Sequence, residues 1–410
     1  MRVSTVPTGK VKWYDAEKGF GFISGDEGTD VFLHAQALPA GTTTLKGGTR
    51  VEYGIVEGRR GAQALSVRVL DAPQSVEANR RVRDRKPADE MVVIVEDLIR
   101  LLDDVEARAD QATPYLRNLL ALSSALQEEY APEAAPDGEA LTVLLVSDIH
   151  SSNQYALMRT IIEEQGVDVV IDSGDLINLG HVEEARLSNL YGSIGSLGVP
   201  YVFVAGNHDS NAPDDTALLD DLARTPGVQL LQPGPGEYRE VTVGGLRIAG
   251  FNDPRYYGDA DDGTTEAQTE ARDSWLEALG EGAPPDLTVS HEAPALDRAP
   301  GRLRVHGHGH VPLLDGNRLQ VGTFTGGGTL SHFVGGPDAE LVGQPSSFDV
   351  LTFDDRCRAQ RLTRYEYRSV IEGRPSFDSL SVLNAGRIMD APDEGRTCGG
   401  DELEVRPLDR

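Results

Sequence analysis

The 410-residue chain is acidic, with 66 Asp and Glu against 38 Lys and Arg and a net charge of −28, so most of its surface repels polyanions. The length leaves room for two domains and an insert. No apolar run reaches the ~20 residues of a membrane-spanning helix, Met1–Gly9 lacks the apolar stretch of a secretory leader, and two cysteines, Cys357 and Cys398, are too few for a disulfide framework; a cytoplasmic protein with no membrane partner is expected.

Residues 1–70 read as an all-β module. Lys10-Val11-Lys12-Trp13-Tyr14, Gly19-Phe20-Gly21-Phe22-Ile23 and Asp30-Val31-Phe32-Leu33-His34 alternate, and turn clusters at Gly25–Gly28, Pro39–Gly41 and Gly47-Gly48 separate the runs at hairpin spacing. Period two places Phe20 with Phe22 on one face, and Phe32 with His34 on one face of the next strand. Val11, Ile23, Val31, Leu33, Val51 and Val67 supply the opposite, apolar face. Rings on the solvent face of a small sheet are costly unless something stacks on them, as nucleic-acid bases do at roughly 1–3 kcal/mol each. Charge divides here too: residues 1–70 hold nine Lys and Arg against seven Asp and Glu, so the other 340 residues carry −30.

Lys18–Ile23 and Val31–His34 resemble the two nucleic-acid motifs of the cold-shock domain, a five-stranded OB-type β-barrel that binds single-stranded RNA or DNA. The resemblance implies a stacking platform of Trp13, Phe20, Phe22, Phe32 and His34, with Lys10, Lys12 and Lys18 beside the strand's phosphates. Ala35 and Thr42-Thr43-Thr44 stand where the family often has further aromatics, which should shorten and weaken the binding site.

Residues 71–140 form a linker and helical connector. The cluster Arg80–Pro87 could touch phosphates, but charge runs in linkers are usually just solvated. Val95, Leu98, Ile99, Leu102 and Val105 recur at helical spacing and predict an amphipathic helix over Met91–Ala109. Thr113-Pro114 opens a second helix carrying Leu116, Leu119, Leu120, Leu122 and Leu126. The pair either packs on the domain that begins at Leu141 or mediates dimerisation.

From Leu141 the pattern changes. Short β-rich runs at Leu141–Val146, Val167–Ile171, Val199–Val204 and Leu287–Val289 are followed in turn by Asp148-Ile149-His150, Gly174-Asp175, Gly206-Asn207-His208-Asp209 and His291, with Gly307-His308-Gly309-His310 beyond. Strands ending in Asp, Asn and His gather ligands at the carboxyl edge of a sheet, where open α/β folds place their sites. Carboxylates, an amide and imidazoles without thiolate suit borderline-to-hard divalent ions such as Mn, Fe, Zn, Ni or Mg.

This series resembles the calcineurin-like metallophosphoesterases over about residues 141–372, an α/β sandwich of two mixed sheets flanked by helices. The resemblance implies two divalent ions (Mn, Fe, Zn or Ni). Asp148, His150, Asp175 and His310 would hold one, with Asp175 bridging; Asn207, His291 and His308 would hold the other. His208 would face the substrate and Asp209 would orient or charge its ring. A pair of ions about 3.5–4 Å apart stabilises both sides of an in-line displacement at phosphorus, and a protonated His208 could donate to the leaving oxygen. His306 is expected to be supporting, His181 to start a helix near Glu183-Glu184, and His332 matches no motif.

Gly174-Asp175-Leu176-Ile177-Asn178 lacks the D-R-G continuation of the serine/threonine protein phosphatases and points toward the phosphodiesterase branch. Residues 373–410 lose clear periodicity and turn acidic, which predicts a partly disordered tail. The chain thus reads as a metal-dependent phosphoesterase acting on RNA, DNA or their fragments brought by the barrel. The alternative is a small phosphoester substrate (cyclic nucleotide or phosphomonoester), with the barrel as localiser or regulator.

Overall fold

The computed structural model describes residues 8–69 (without 17, 19, 26–28, 39–43 and 59–60), 106–125, and 139–408 (without 259–264, 328–332, 336–340 and 369–375). The expected helix over Met91–Ala109 and His332 therefore fall largely or wholly outside the described residues. The chain divides into two units, Met1–Ile94 and Val95–Arg410.

In the first unit, β1 (Thr8–Asp15), β2 (Phe20–Gly25), β3 (Asp30–His34), β4 (Arg50–Gly58) and β5 (Gly61–Val69) close a barrel in the order β1-β2-β3-β5-β4. Val11, Ile23, Val31, Leu33, Val51 and Val67 fill its core together with Tyr53 and Ala64. Val11 and Trp13 share parity, so a regular strand would bury both. A bulge between them shifts the pairing from Val11 opposite Ile23 to Trp13 opposite Phe22 and turns Trp13 outward. The same pairing explains Gly21, where a Cβ would clash with the Trp13 carbonyl.

In the second unit, β6 (Leu141–Val146), β7 (Val169–Asp172), β8 (Tyr201–Phe203) and β9 (Val228–Leu230) run parallel. A second group comprises β10 (Tyr238–Val243), β11 (Leu246–Gly250), β12 (Leu287–Val289), β13 (Leu303–His306), β14 (Leu313–Asp315) and β15 (Arg318–Gln320). A small ribbon, β16 (Phe333–Gly335) with β17 (Leu341–Gly343), precedes β18 (Ser346–Phe353), β19 (Ala359–Arg368), β20 (Ser376–Asn384) and β21 (Leu403–Leu408). They build two seven-stranded sheets, β20-β19-β18-β6-β7-β8-β9 and β14-β15-β13-β12-β11-β10-β21. Every residue of β6 and β7 is buried, as expected for strands covered on both faces. Leu141, Val143 and Leu145 point to the layer shared with Val241, Ile248, Val289 and Val305, whereas Leu144 and Val146 face the helices.

The connector departs from expectation. Residues 106–125 form one helix that runs through Thr113-Pro114 rather than restarting there. Proline removes the bond that the Asp110 carbonyl would otherwise receive, and the Thr113 hydroxyl donates to that carbonyl at 2.8 Å instead. Ala109, Ala112, Leu116 and Leu120 pack into the core that covers β6, and Arg117 pairs with Glu163 and Glu164 at 2.9 and 2.7 Å. This helix belongs to the sandwich.

The tail is a second correction. Instead of disorder, β20 forms the edge of one sheet and β21 pairs antiparallel with β10 to form the edge of the other. An exposed edge strand is held by backbone bonds and needs no apolar alternation, which is why β21 looked structureless. Cys357 and Cys398 are joined in a disulfide between the β18–β19 turn and the segment leading to β21. Among the described residues, no helix is long and apolar enough to cross a membrane.

Candidate metal centre and nucleic-acid face

The loops that leave β6, β7, β8, β12 and β13 at their carboxyl ends carry the Asp, Asn and His residues singled out above. Their backbones are unusual: Asp148, His150, Ser151, Asp175, His308 and His310 all have positive φ. Such conformations cost on the order of 1–3 kcal/mol each and persist only where the surroundings enforce them. Close packing also explains the motif glycines. A Cβ on Gly174 would lie 2.6 Å from Gly206 N and 2.9 Å from His291 Nδ1, and one on Gly206 would strike the Asp175 carboxylate.

Two clusters result, Asp148–His150–His310 and Asp175–His291–His308. In the first, His150 Nε2 lies 3.0 Å from His310 Nε2, and Asp148 Oδ1 lies 3.3 Å from His310 Nε2 and 3.8 Å from His150 Nε2. Asp175 Oδ2 joins the clusters, 3.8 Å from His150 Nε2 and 3.2 Å from His291 Nε2. Asn207 Oδ1 reaches the second at 3.0 Å from His308 Nδ1. All seven expected ligands are thus brought together.

The fit to cations is chemical as well as spatial. Asp148 Oδ1, Asp175 Oδ2 and His291 Nε2 are buried and meet only the charged or ring atoms of the other candidate ligands, without a well-aligned hydrogen bond, an arrangement proteins avoid unless something else satisfies the atoms. Burial alone would raise the Asp175 carboxyl, but His291, His150 and His208 outweigh it and hold it below the ordinary range. Burial drives His150 down to about 4 despite Asp175 and Asp148 beside it. A neutral imidazole and ionised carboxylates are the forms that bind metal. The outer partners fix which ring nitrogen faces inward. His291 Nδ1 meets the Ser173 carbonyl at 2.8 Å, leaving Nε2 inward, and His308 Nε2 meets Glu292 at 3.5 Å, leaving Nδ1 inward.

His208 and Asp209 sit differently from each other and from expectation. The Asp209 carboxylate does not touch the His208 ring. It accepts from the backbone N–H groups of Gly206, Asp175 and Ile177 at 2.7, 2.9 and 3.0 Å, clamping two ligand-bearing loops together. The ring is oriented instead by the Asn178 carbonyl, 2.6 Å from Nδ1, which leaves Nε2 for a substrate. Glu184 in turn holds that loop, taking the N–H groups of Asn178, Leu179 and His181 and the Ser151 hydroxyl. Asn178, Glu184 and Glu292 were missed. Only Glu292, directly after a ligand histidine, carried any positional hint. His181 caps the helix Val182–Leu187. His306 is buried, meets the Gly307 carbonyl, and is pushed by burial to about 4.

On the barrel, the aromatic residues are contiguous. Ring centroids lie 5.6 Å apart for Trp13–Phe20, Trp13–Phe22 and Phe22–Phe32, 5.8 Å for Phe20–Phe32 and 6.5 Å for Phe32–His34. Trp13 is 42% exposed and the other four are half-buried. The lysines are less free than expected: Lys12 pairs with Asp30 at 2.6 Å and Lys18 with Asp15 at 3.5 Å. Lys10 is exposed on the same strand as Trp13.

A buried two-cluster cradle at a sheet's carboxyl edge, on a chain that also carries an aromatic-faced barrel, defines a dinuclear hydrolase with a nucleic-acid-binding module. Residues 141–318 match the family 'Calcineurin-like phosphoesterase', and residues 7–70 are a member of the 'Cold-shock' DNA-binding domain family. It is 53% identical over 64 residues to a cold shock-like protein of Thermotoga maritima, spanning 15% of this chain and 97% of that one. Cold shock-like protein CspC of Bacillus cereus is 52% identical over 60 residues, spanning 14% of this chain and 92% of its own. Among solved structures, a dimetal phosphatase from Danio rerio is 12% identical with a TM-score of 0.33, covering 60% of this chain and 99% of that one. A 5'-nucleotidase precursor from Thermus thermophilus is 14% identical with a TM-score of 0.33, covering 62% and 56%. The protein is a metal-dependent phosphoester hydrolase. The two divalent ions implied by the family would supply positive charge to both the attacking and leaving oxygens of an in-line displacement.

Proposed function

We propose that the hydrolase is a phosphodiesterase or nuclease acting on single-stranded RNA or DNA, or on nucleotide fragments, that the cold-shock domain captures. Asp148, His150, Asp175 and His310 would hold one ion and Asn207, His291 and His308 the other, and the ions would supply positive charge to the reacting oxygens. Water adds to phosphorus as the bond to the leaving alcohol breaks, and His208 Nε2 gives that oxygen its proton. The observation that carries the reading is the unbroken aromatic face of Trp13, Phe20, Phe22, Phe32 and His34, which is suited to stacking bases and to little else. Tethering raises the effective concentration of captured strand at the catalytic unit. The cytoplasm is our proposed location.

One observation favours the second reading, in which the substrate is small and the barrel only localises the enzyme: the −30 carried outside residues 1–70 repels a long polyanion. A Mn-loaded full-length Phe20→Ala/Phe32→Ala variant separates the two. Delivery requires KM for single-stranded RNA to rise more than tenfold while kcat/KM for a small phosphodiester stays within about twofold. Equal RNA cleavage by variant and wild type would move the localiser reading to first place.

A further inference from the structure

Beside His208 stands a ring that the metal centre does not use. Tyr257 packs on His208 with centroids 5.3 Å apart at 49°, and His208 also meets His150 edge-on at 4.9 Å. Exposure rises along this series, from buried His150 through half-buried His208 to exposed Tyr257. Tyr257 is 42% exposed, and Leu179, next to the carbonyl that orients His208, is 41% exposed. Tyr257 therefore presents an open aromatic surface directly beside His208.

The rim is also rigid. The Tyr257 N–H donates to the Ser210 carbonyl at 2.8 Å, just past the His208 loop. Gly180 packs so tightly on that carbonyl that a Cβ would clash with it, and Asn211 Nδ2 meets His181 Nδ1 at 2.9 Å. Behind the tyrosine, buried Arg255 is forked onto Asp253, which also takes the Gln268 amide at 3.0 Å. The backbone that carries the ring is thus fixed, and less freedom is lost there when a ligand stacks.

We propose that Tyr257 seats the aromatic base of the alcohol that leaves phosphorus, which makes the centre selective for esters whose leaving group is a nucleoside. His208 would protonate the leaving oxygen, and the exposed ring packed against His208 then offers an aromatic surface to what that oxygen carries. The inference rests on the nucleic-acid reading above and names the side of the ester that is recognised. Tyr257 is a positioning residue. Its ring takes no part in bond making, and the hydrolysis it serves consumes one water and releases one alcohol.

The test uses the Mn-loaded full chain and three dinucleotides with one phosphodiester each: both bases present, the 5′-side base absent, and the 3′-side base absent. Product analysis shows which sugar leaves. Tyr257→Ala should lower kcat/KM by roughly 5- to 100-fold, the usual worth of one stacked base, wherever the leaving sugar keeps its base. It should change the substrate lacking that base by less than twofold, and Tyr257→Phe should behave as wild type. Equal losses on all three substrates, or none on any, overturn the proposal while the nucleic-acid reading stands. A wild-type enzyme that hydrolyses other phosphoesters but no dinucleotide overturns both.

Discussion

The two functional regions bind by opposite means. The barrel exposes its working side chains on strands over an apolar core, so its site is little more than a sheet's outer face, and on the strands that carry those rings the departure from period two is the bulge before Trp13. The metal centre buries its working atoms. Six of the ten positive-φ residues other than glycine among the described residues lie in its loops, and Asp148 Oδ1, Asp175 Oδ2 and His291 Nε2 are buried within it. A surface that reads many strands weakly needs little preorganisation. A site that must hold two like charges a few ångströms apart needs strain, burial and backbone clamps.

This contrast predicts a gradient of sensitivity. The largest effect should come from Asp175→Asn, since one carboxylate oxygen serves both clusters. Bound metal, measured by elemental analysis, and phosphodiester turnover should collapse together, well beyond the ~10–100-fold cost of disturbing an outer partner. Normal turnover with two bound ions would end the bridging assignment. Next, His208→Ala should keep its metal but lose roughly 10²–10⁴-fold in kcat. If metal is lost as well, His208 is a ligand rather than a proton donor.

The barrel should respond more mildly. Phe20→Ala/Phe32→Ala in the full chain should weaken single-strand binding by roughly 2–6 kcal/mol if each ring stacks one base, read by fluorescence anisotropy. A folded variant that titrates like wild type would remove those rings from the platform. Because Lys12 and Lys18 are already paired, the salt slope should be shallow, near that of one or two phosphate contacts.

The smallest effect concerns Asp172, buried beneath the centre with the Tyr201 hydroxyl bonded to it. Burial pushes its carboxyl up to about 7. The native state therefore holds a proton that the unfolded chain releases near the ordinary carboxylate range, so wild-type stability falls as pH rises through that window. Asp172→Asn has no proton to lose and should gain on wild type between pH 4 and pH 8, by at most about 1.4 kcal/mol per unit of pH. Urea midpoints of the metal-free proteins check this, and a pH-independent difference would mean that the carboxyl titrates normally.

Sequence reading succeeded where a residue's chemistry and its position pointed the same way. The gathering of the candidate ligands was legible because they follow short buried strands, and the barrel because alternation survives in β2 and β3. It failed where backbone geometry decides. Asp209 was assigned to its neighbour's ring, yet adjacent side chains diverge and its carboxylate found three N–H groups instead. The Thr113 hydroxyl rescued a helix that Pro114 should have broken. β21 needed only a free edge on β10, and nothing in its side chains announces that.

The Cys357–Cys398 bond ties the turn between β18 and β19, in one sheet, to the strap that supplies the edge strand of the other. The same strap sends Arg396 to Asp286 at 2.7 Å, and Asp286 directly precedes β12, which ends just before His291. In a cytoplasm that keeps thiols reduced, this strap is fastened by the ion pair and the strand ladder alone. Under oxidation it gains a covalent rivet. The redox history of the surroundings is thus written one short strand away from the His291 imidazole.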